Sequence, residues 1–478
     1  MRKVFVDTKR CNYRLNCISW IRIAKACLKM SRQLHLLLMV VIMGCVACIQ
    51  PRTKNADVKK TADRSAMASE DIQAITFTLK KLLQKGLYFR FESYYSACRN
   101  RLPGKYQVYF DIFHCDLFGY PELLEEQDQL LLGKYYDELT ESEKIEYHFI
   151  KISHYRKKYE YNKAYAEVIK LEQFTEKINP FRKGDLQQYR ATFSSLQRVP
   201  PTTVTKPAYD SIQLEKIWAN LYIPVSINGN MINFVFDTGS EKSLISKSSA
   251  VKFGLKILET ETEITGTTGA RAETNLGIAE QVMIGNTIYE NAVFEVIEDS
   301  LLGVPEYDFY FDGLIGLNLL YPLRSVTLTS SNAFITMRDT VHHVRNNLAL
   351  FNFNNRVAIS FRDDTIPVKF DTGAYMSIFN KHFYELYDIF LCESGTTKSF
   401  EYGGIGGGRS TFNMVQLDTM ALAVYNDSVL LEGTRIHSKY IHADTVTYFG
   451  LLGLDFAGHF NEITMNFSPN SIEYKTRN

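Results

Sequence analysis

Two carboxylates stand in matched surroundings in this chain. Asp237 lies in "NFVFDTGSEKSLIS" and Asp371 in "PVKFDTGAYMSIFN", each entered from an apolar stretch and each followed by Thr and Gly. Two carboxyls brought to one place cannot both ionise, so they hold one proton between them. The ionised member can take a proton from a water. The protonated member can give its proton to a carbonyl oxygen and later serve the leaving amine. That is hydrolysis without a covalent intermediate, and it needs both copies. A lone Asp-Thr-Gly is weak evidence, but two in register with further shared residues are specific.

The register extends well beyond the carboxylates. Ser243 and Ser377 keep the same separation as Asp237 and Asp371, and "FDGLIGLNLL" lines up with "YFGLLGLDFA". The latter match sets Leu314, Ile315 and Gly316 against Leu451, Leu452 and Gly453. Glycine-rich turns lie between the matched motifs. One is "TGTTG", with Gly266 and Gly269; the other is "GGIGGG", with Gly404, Ile405, Gly406 and Gly407. Each half closes on a strand–turn–strand stretch, "SVTLTSSNAFITM" and "EITMNFSPNSIEY". Alternating, turn-punctuated sequence of this kind reads as short antiparallel strands.

The residues quoted above resemble the two-lobed aspartic proteases, in particular the retropepsin-like branch found in bacteria, over about Leu214 to Tyr474. The shared pattern is a hydrophobic residue with Asp-Thr-Gly-Ser/Ala, then two hydrophobic residues and Gly, present in both halves. The resemblance implies a bilobal β-fold, a polypeptide substrate and Asp237 with Asp371 as the catalytic pair. It implies that Thr238 and Thr372 hydrogen-bond across the lobe interface, with Leu314–Gly316 and Leu451–Gly453 bracing the catalytic loops. The two glycine-rich turns would be flaps over an extended peptide. The chain departs from pepsin-like enzymes in that "TGTTGARAE" carries no flap tyrosine, while Tyr402 stands at the base of the second turn. Because the motif is duplicated within one chain, an active dimer is not required.

Two expectations concern the catalytic loops. Gly239 and Gly373 permit tight backbone there and let N–H groups approach the carboxylates. Ser240 follows the first glycine but Ala374 follows the second. A hydroxyl donated to a carboxylate favours its charged form, so Asp237 is expected to be the more acidic partner and Asp371 the holder of the proton. On that expectation Ala374→Ser moves the activity profile toward acid.

Other chemistries find little support. "GIGGG" lacks the following helix and βαβ setting of a dinucleotide loop. His342–His343 has no helix-spaced third ligand, so neither metal nor cofactor is expected, and no Ser-His-Asp or Cys-His set stands out. Formal net charge is +1, which gives no global pull toward nucleic acid. A non-catalytic peptide-binding or scaffold protein on a protease-like fold is the alternative, and loss of either Asp would favour it.

The elements ahead of the repeat organise as follows. Residues 1–50 read as an export region, with Met30 as the expected true start: basic Arg32, an apolar run from Leu36 to Met43, then small residues and cysteine. Cys45 and Cys48 each fit a lipoprotein box imperfectly, so either is a candidate for lipidation and membrane anchoring; an uncleaved anchor is the alternative. The expected location is exported and lipid-anchored to a bacterial membrane. Residues 51–70 form a polar tether and 71–197 an α-helical domain of helical hairpins, with tetratricopeptide-like character in "YNKAYAEVIKL". Ile72, Ile75, Leu79, Leu82 and Leu83 fall on one helical face, and Thr140 with Glu143 makes a capping box. The aromatic residues Tyr94, Tyr95, Tyr106, Tyr109, Phe110 and Phe113 read as core, with a peptide groove as the alternative. This domain is expected to bind substrate or partner, or to cover the cleft. Residues 198–213 read as a stiff Pro-rich linker, 214–345 as the first lobe and 346–478 as the second. Of eight cysteines, five lie in the first fifty residues; a Cys98–Cys115 bridge stays open. The fold class is thus α followed by all-β.

Overall fold

The computed structural model describes residues 71–266, 269–304, 309–331, 334–338, 345–406, 409–424, 427–439 and 448–477. The export region, the tether, Cys45, Cys48, His342, His343 and Gly407 lie outside the described residues.

The helical region opens with α1, residues 71–84, followed by α2 (Tyr88–Cys98), α3 (Gly104–Phe118), α4 (Pro121–Leu130), α5 (Glu141–Lys157), α6 (Tyr161–Glu172) and α7 (Pro180–Leu196). The capping box forms as the spacing predicts. Thr140 Oγ1 accepts from the Glu143 N–H at 3.3 Å, and Glu143 Oε2 accepts from the Thr140 N–H at 2.7 Å. Such a cap stabilises a helix start by about 1 kcal/mol. Consecutive helices pack on one another, α3 on α4, α5 on α6 and α6 on α7. The aromatic residues go mainly into the core: Tyr95, Tyr109, Phe110 and Phe113 are buried in one apolar cluster. Cys98 and Cys115 are free buried thiols, which answers the open question of a bridge.

The first lobe is a sheet containing β1 (Asn220–Ile227), β2 (Asn230–Phe236), β3 (Leu244–Ser246), β4 (Lys256–Thr265), β5 (Arg271–Ile284), β6 (Thr287–Ile297) and β7 (Gly313–Ile315). The second lobe repeats the arrangement with β8 (Asn354–Phe361), β9 (Asp364–Phe370), β10 (Ile378–Phe379), β11 (Thr396–Gly403), β12 (Arg409–Gln416), β13 (Arg435–His437) and β14 (Gly450–Leu452). The internal symmetry is visible in the register. β7 runs parallel to β2 and antiparallel to β3, while β3 runs parallel to β6. Likewise β14 runs parallel to β9 and antiparallel to β10, while β10 runs parallel to β13. The short strands after the two Asp-Thr-Gly loops are therefore pinned on both sides.

Three features were not expected from the sequence. The closing strands of the two halves do not stay within their halves. Ser325–Thr329 pairs with Phe460–Asn466 in the centre of a five-stranded sheet, so both lobes share one base. The stretch 198–213 is extended as its prolines require, but it is no free linker: Thr203–Thr205 pairs with β6 and Tyr209–Gln213 with Phe334–Arg338.

Thirdly, the helical region and both lobes make one compact unit. Gly119, at φ +80, ends α3, and Asn470 of the second lobe fits against it. The Asn470 backbone N–H donates to the Phe118 carbonyl at 2.7 Å and its Nδ2 to the Leu117 carbonyl at 2.8 Å. A distant residue thus satisfies carbonyls that a helix end leaves unpaired. Lys157 Nζ donates to the carbonyls of Asp116 at 2.8 Å and Leu350 at 2.6 Å, and pairs with the Asp116 carboxylate at 3.1 Å. Burial pushes the Lys157 ammonium down and the Asp116 carboxyl up from their usual values, so each requires the other. α7 packs on β4, where the Glu263 N–H donates to Gln188 Oε1 at 3.1 Å. The helices therefore back the lobes and the first hairpin.

Candidate catalytic dyad

The loops after β2 and β9 bring Asp237 and Asp371 together. Each carboxyl lies close enough to shift the other, and each sits against the glycine of the opposite loop. Asp371 is buried and Asp237 partly so. How close the loops come is set by the glycines: a Cβ on Gly239 would lie 2.2 Å from the Asp371 carboxyl carbon, and one on Gly373 2.7 Å from that of Asp237. Each glycine is thus required by the opposite carboxylate, since neither has a left-handed backbone.

A reciprocal lattice locks the loops. Thr238 Oγ1 donates to the Phe370 carbonyl at 2.9 Å and accepts from the Thr372 N–H at 3.1 Å. Thr372 Oγ1 donates to the Phe236 carbonyl at 2.8 Å and accepts from the Thr238 N–H at 3.0 Å. Both threonines are almost fully buried, where an unmade hydrogen bond is costly.

The braces act by hydrogen bonding as well as packing. The N–H groups of Asp237 and Asp371 donate to the carbonyls of Ile315 and Leu452 at 3.0 and 2.9 Å. Leu314 and Leu452 are buried beside them and Leu451 partly so. Gly316 and Gly453 leave no room for a side chain: a Cβ would meet the Lys242 and Ala374 carbonyl oxygens at 2.5 and 2.7 Å. Their N–H groups donate to Ser243 Oγ and Ser377 Oγ, each at 3.0 Å. The matched serines thus have a structural reason, one that their equal spacing in the sequence could have suggested.

Electrostatics favour a shared proton. Burial and the neighbouring Asp371 charge push the Asp237 carboxyl up to about 8, against the Lys369 cation and the N–H groups of Gly239 and Ser240. Burial raises Asp371 as well, opposed by Lys369 and the Gly373 N–H. Asp237 Oδ1 accepts from Gly239 at 2.8 Å and from Ser240 at 3.0 Å, while Asp371 Oδ1 accepts from Gly373 at 3.0 Å.

The expected role of the Ser240 hydroxyl is corrected here. It donates to the Lys242 carbonyl at 2.7 Å and not to the carboxylate; only the Ser240 backbone N–H reaches Asp237. The premise for a more acidic Asp237, and for an acid shift in Ala374→Ser, therefore fails. Ser240→Ala is expected to leave the acid limb of a pH–rate profile in place. A clear displacement of that limb would restore the hydroxyl's influence.

Sequence reasoning missed two residues at the dyad. Asn355 Nδ2 bridges the carbonyls of Thr238 at 2.7 Å and Phe370 at 3.0 Å, while its Oδ1 accepts from the Phe370 N–H at 2.8 Å. Nothing in the first half marks a counterpart. Lys369, from the second lobe, donates to the Gly239 carbonyl at 3.0 Å, so a cation crosses the interface beside the pair. Here a signal existed: Lys369 interrupts the apolar approach of "VKFDTG", where "FVFDTG" has Val235.

The glycine-rich turns sit at the tips of the hairpins β4–β5 and β11–β12. The tips meet. The Ile405 carbonyl occupies the place a Cβ on Gly266 would need, and Gly406 lies against Ala270 while its N–H donates to the Leu301 carbonyl at 3.1 Å. Gly269 and Gly406 adopt positive φ, and Gly404 begins the second tip. Among the described residues, no cluster of His, Cys, Asp and Glu has the geometry of a metal site.

Comparison with known families matches residues 223–319 to a family described as Aspartyl protease. Among solved structures, the chain is similar to the aspartic proteinase from Irpex lacteus, at 9% identity and a TM-score of 0.36, over 56% of this chain and 97% of that one. No curated protein matches.

Proposed function

We propose that this chain is an aspartic endopeptidase whose acid–base pair is Asp237 and Asp371. The observation that carries the reading is the pair itself: two carboxyls from two halves of one chain, close enough to shift each other and raised by burial. At neutral pH such a pair holds one proton. The ionised carboxyl takes a proton from a water, whose oxygen attacks the peptide carbonyl carbon. The other carboxyl protonates the carbonyl oxygen. When the tetrahedral intermediate collapses, the C–N bond breaks and the amine nitrogen receives a proton from the pair. Since both members come from one chain, a dimer is not needed. Incubating the protein with a diverse peptide library, with and without a pepstatin-like inhibitor, tests the reading. Inhibitor-sensitive cleavage is expected; no cleavage across the pH range would favour a peptide-binding scaffold.

Lys369 sets the working pH in this scheme. Its positive charge lowers both carboxyls, so removing it lets the pair keep its protons to higher pH. Lys369→Met is therefore expected to move both limbs of the pH–rate profile upward. A profile that stays put or moves toward acid would exclude that role.

Export and lipid anchoring at Cys45 or Cys48 complete the proposal. Their support is the order of Arg32, the apolar run and the cysteines. Fractionation with membranes and uptake of a labelled acyl chain are expected; a soluble, unlabelled chain would overturn this part.

A further inference from the structure

The pseudo-symmetry places a charge of opposite sign at one equivalent position in each lobe. Leu244 and Ile378 occupy matching places after the two catalytic loops; Leu244 pairs with Glu295 on β6, and Ile378 with Arg435 on β13. In the first lobe the site is closed. Glu295 is buried, ion-paired with Lys242, and accepts from Thr274 Oγ1 at 2.6 Å and Thr262 Oγ1 at 3.2 Å. In the second lobe the site is incomplete. The Arg435 guanidinium lies 4.1 Å from the Phe400 ring centre and 5.7 Å from that of Tyr402, both on the second hairpin. The hydroxyls of Tyr402 and Tyr375 lie beside it. Tyr375 belongs to the catalytic loop and is 50% exposed. Among the described residues no carboxylate pairs with Arg435, and its Nε is buried without a hydrogen-bond partner.

A half-buried guanidinium ordinarily has an anionic partner, because removing it from water unpaired is costly. Here aromatic faces orient the cation between the catalytic loop and the hairpin stem, and the anion is lacking. We propose that Arg435 is a specificity-determining residue that recognises an acidic side chain of the peptide substrate, near the bond to be cut. The inference rests on the endopeptidase reading, since it takes the space between loop and hairpin as the substrate cleft. The opposite lobe offers no equivalent preference, because Glu295 is already satisfied.

Binding separates this proposal from catalysis. The full chain carrying Asp371→Asn is titrated with fluorescent peptides of one sequence, in which Glu, Gln or Lys is moved through successive positions. One position is expected to favour Glu over Gln by about tenfold, the order of a charge-assisted hydrogen bond, with Lys weakest. Adding Arg435→Gln is expected to remove that preference while binding of the Gln peptide persists, which also reports a folded cleft. Arg435→Lys, a second variant that keeps the charge, is expected to retain part of the preference. Equal binding of the Glu and Gln peptides at every position, or a Glu preference that survives Arg435→Gln, would overturn the proposal. If the wild-type chain cleaves nothing yet the Arg435-dependent preference is found, the peptidase reading fails and the acidic-peptide site stands.

Discussion

Replacing either Asp237 or Asp371 by Asn is expected to lower peptide hydrolysis by roughly 10³–10⁴-fold, and the double variant little further. Asn matches the carboxyl in shape but can neither carry the charge that activates water nor hold the proton that the carbonyl oxygen receives. The two groups act as a unit, so their losses do not add. The fold should survive, because the Gly239 and Gly373 N–H groups can donate to an amide oxygen as they do to the carboxylates. Thermal unfolding midpoints at or above that of the wild type are expected, since one member of a close, buried acidic pair is neutralised. Rates for both single variants against a library-derived peptide check this. Appreciable cleavage by both would falsify the mechanism.

Gly239→Ala should be nearly as damaging without touching a chemical group. Its methyl would lie 2.2 Å from the Asp371 carboxyl carbon and 2.4 Å from both oxygens. Asp371 has no free direction in which to retreat, because the Gly373 N–H holds its Oδ1 and Thr372 fixes its loop to the first lobe. The carboxyls must therefore separate, and a displacement of about 1 Å can cost on the order of 100-fold in rate. Loss of kcat/KM of at least that size is expected in a folded protein. Near-normal turnover would mean that the loops do not approach this closely in the working enzyme.

How much of this was legible beforehand follows the range of the interactions. The meeting of Asp237 with Asp371, and the seating of Leu314–Gly316 and Leu451–Gly453 against their loops, were readable because duplication writes the same local solution twice. The capping box at Thr140 was readable because both partners lie within one turn. The direction of the Ser240 hydroxyl was not, since it is set by the carbonyl of Lys242 as the loop curls back. Asn355 was hidden for a related reason: an Asn in a strand looks like any other until the strand meets the two Asp-Thr-Gly loops. The capping of α3 by Asn470 and the pairing of Ser325–Thr329 with Phe460–Asn466 join residues far apart in sequence, and no periodicity records such pairings. Lys369 lies between these cases. The break in apolar pattern was present, but only the fold shows that it puts a cation beside the dyad.

The shared base sheet has a mechanical consequence. The lobes are tied at the dyad by the threonine lattice and again at the base by the ladder from Ser325–Asn466 to Thr329–Glu462. A body fastened at both ends cannot open like a jaw. Swinging the halves apart would shear a row of backbone hydrogen bonds or break the lattice that aligns the acids. On the endopeptidase reading proposed above, a substrate would enter where the hairpin tips meet, and the first of these hairpins is anchored to α7 through Gln188. The two halves are therefore held in a fixed relation at both ends, so the alignment of Asp237 with Asp371 does not rest on either loop alone.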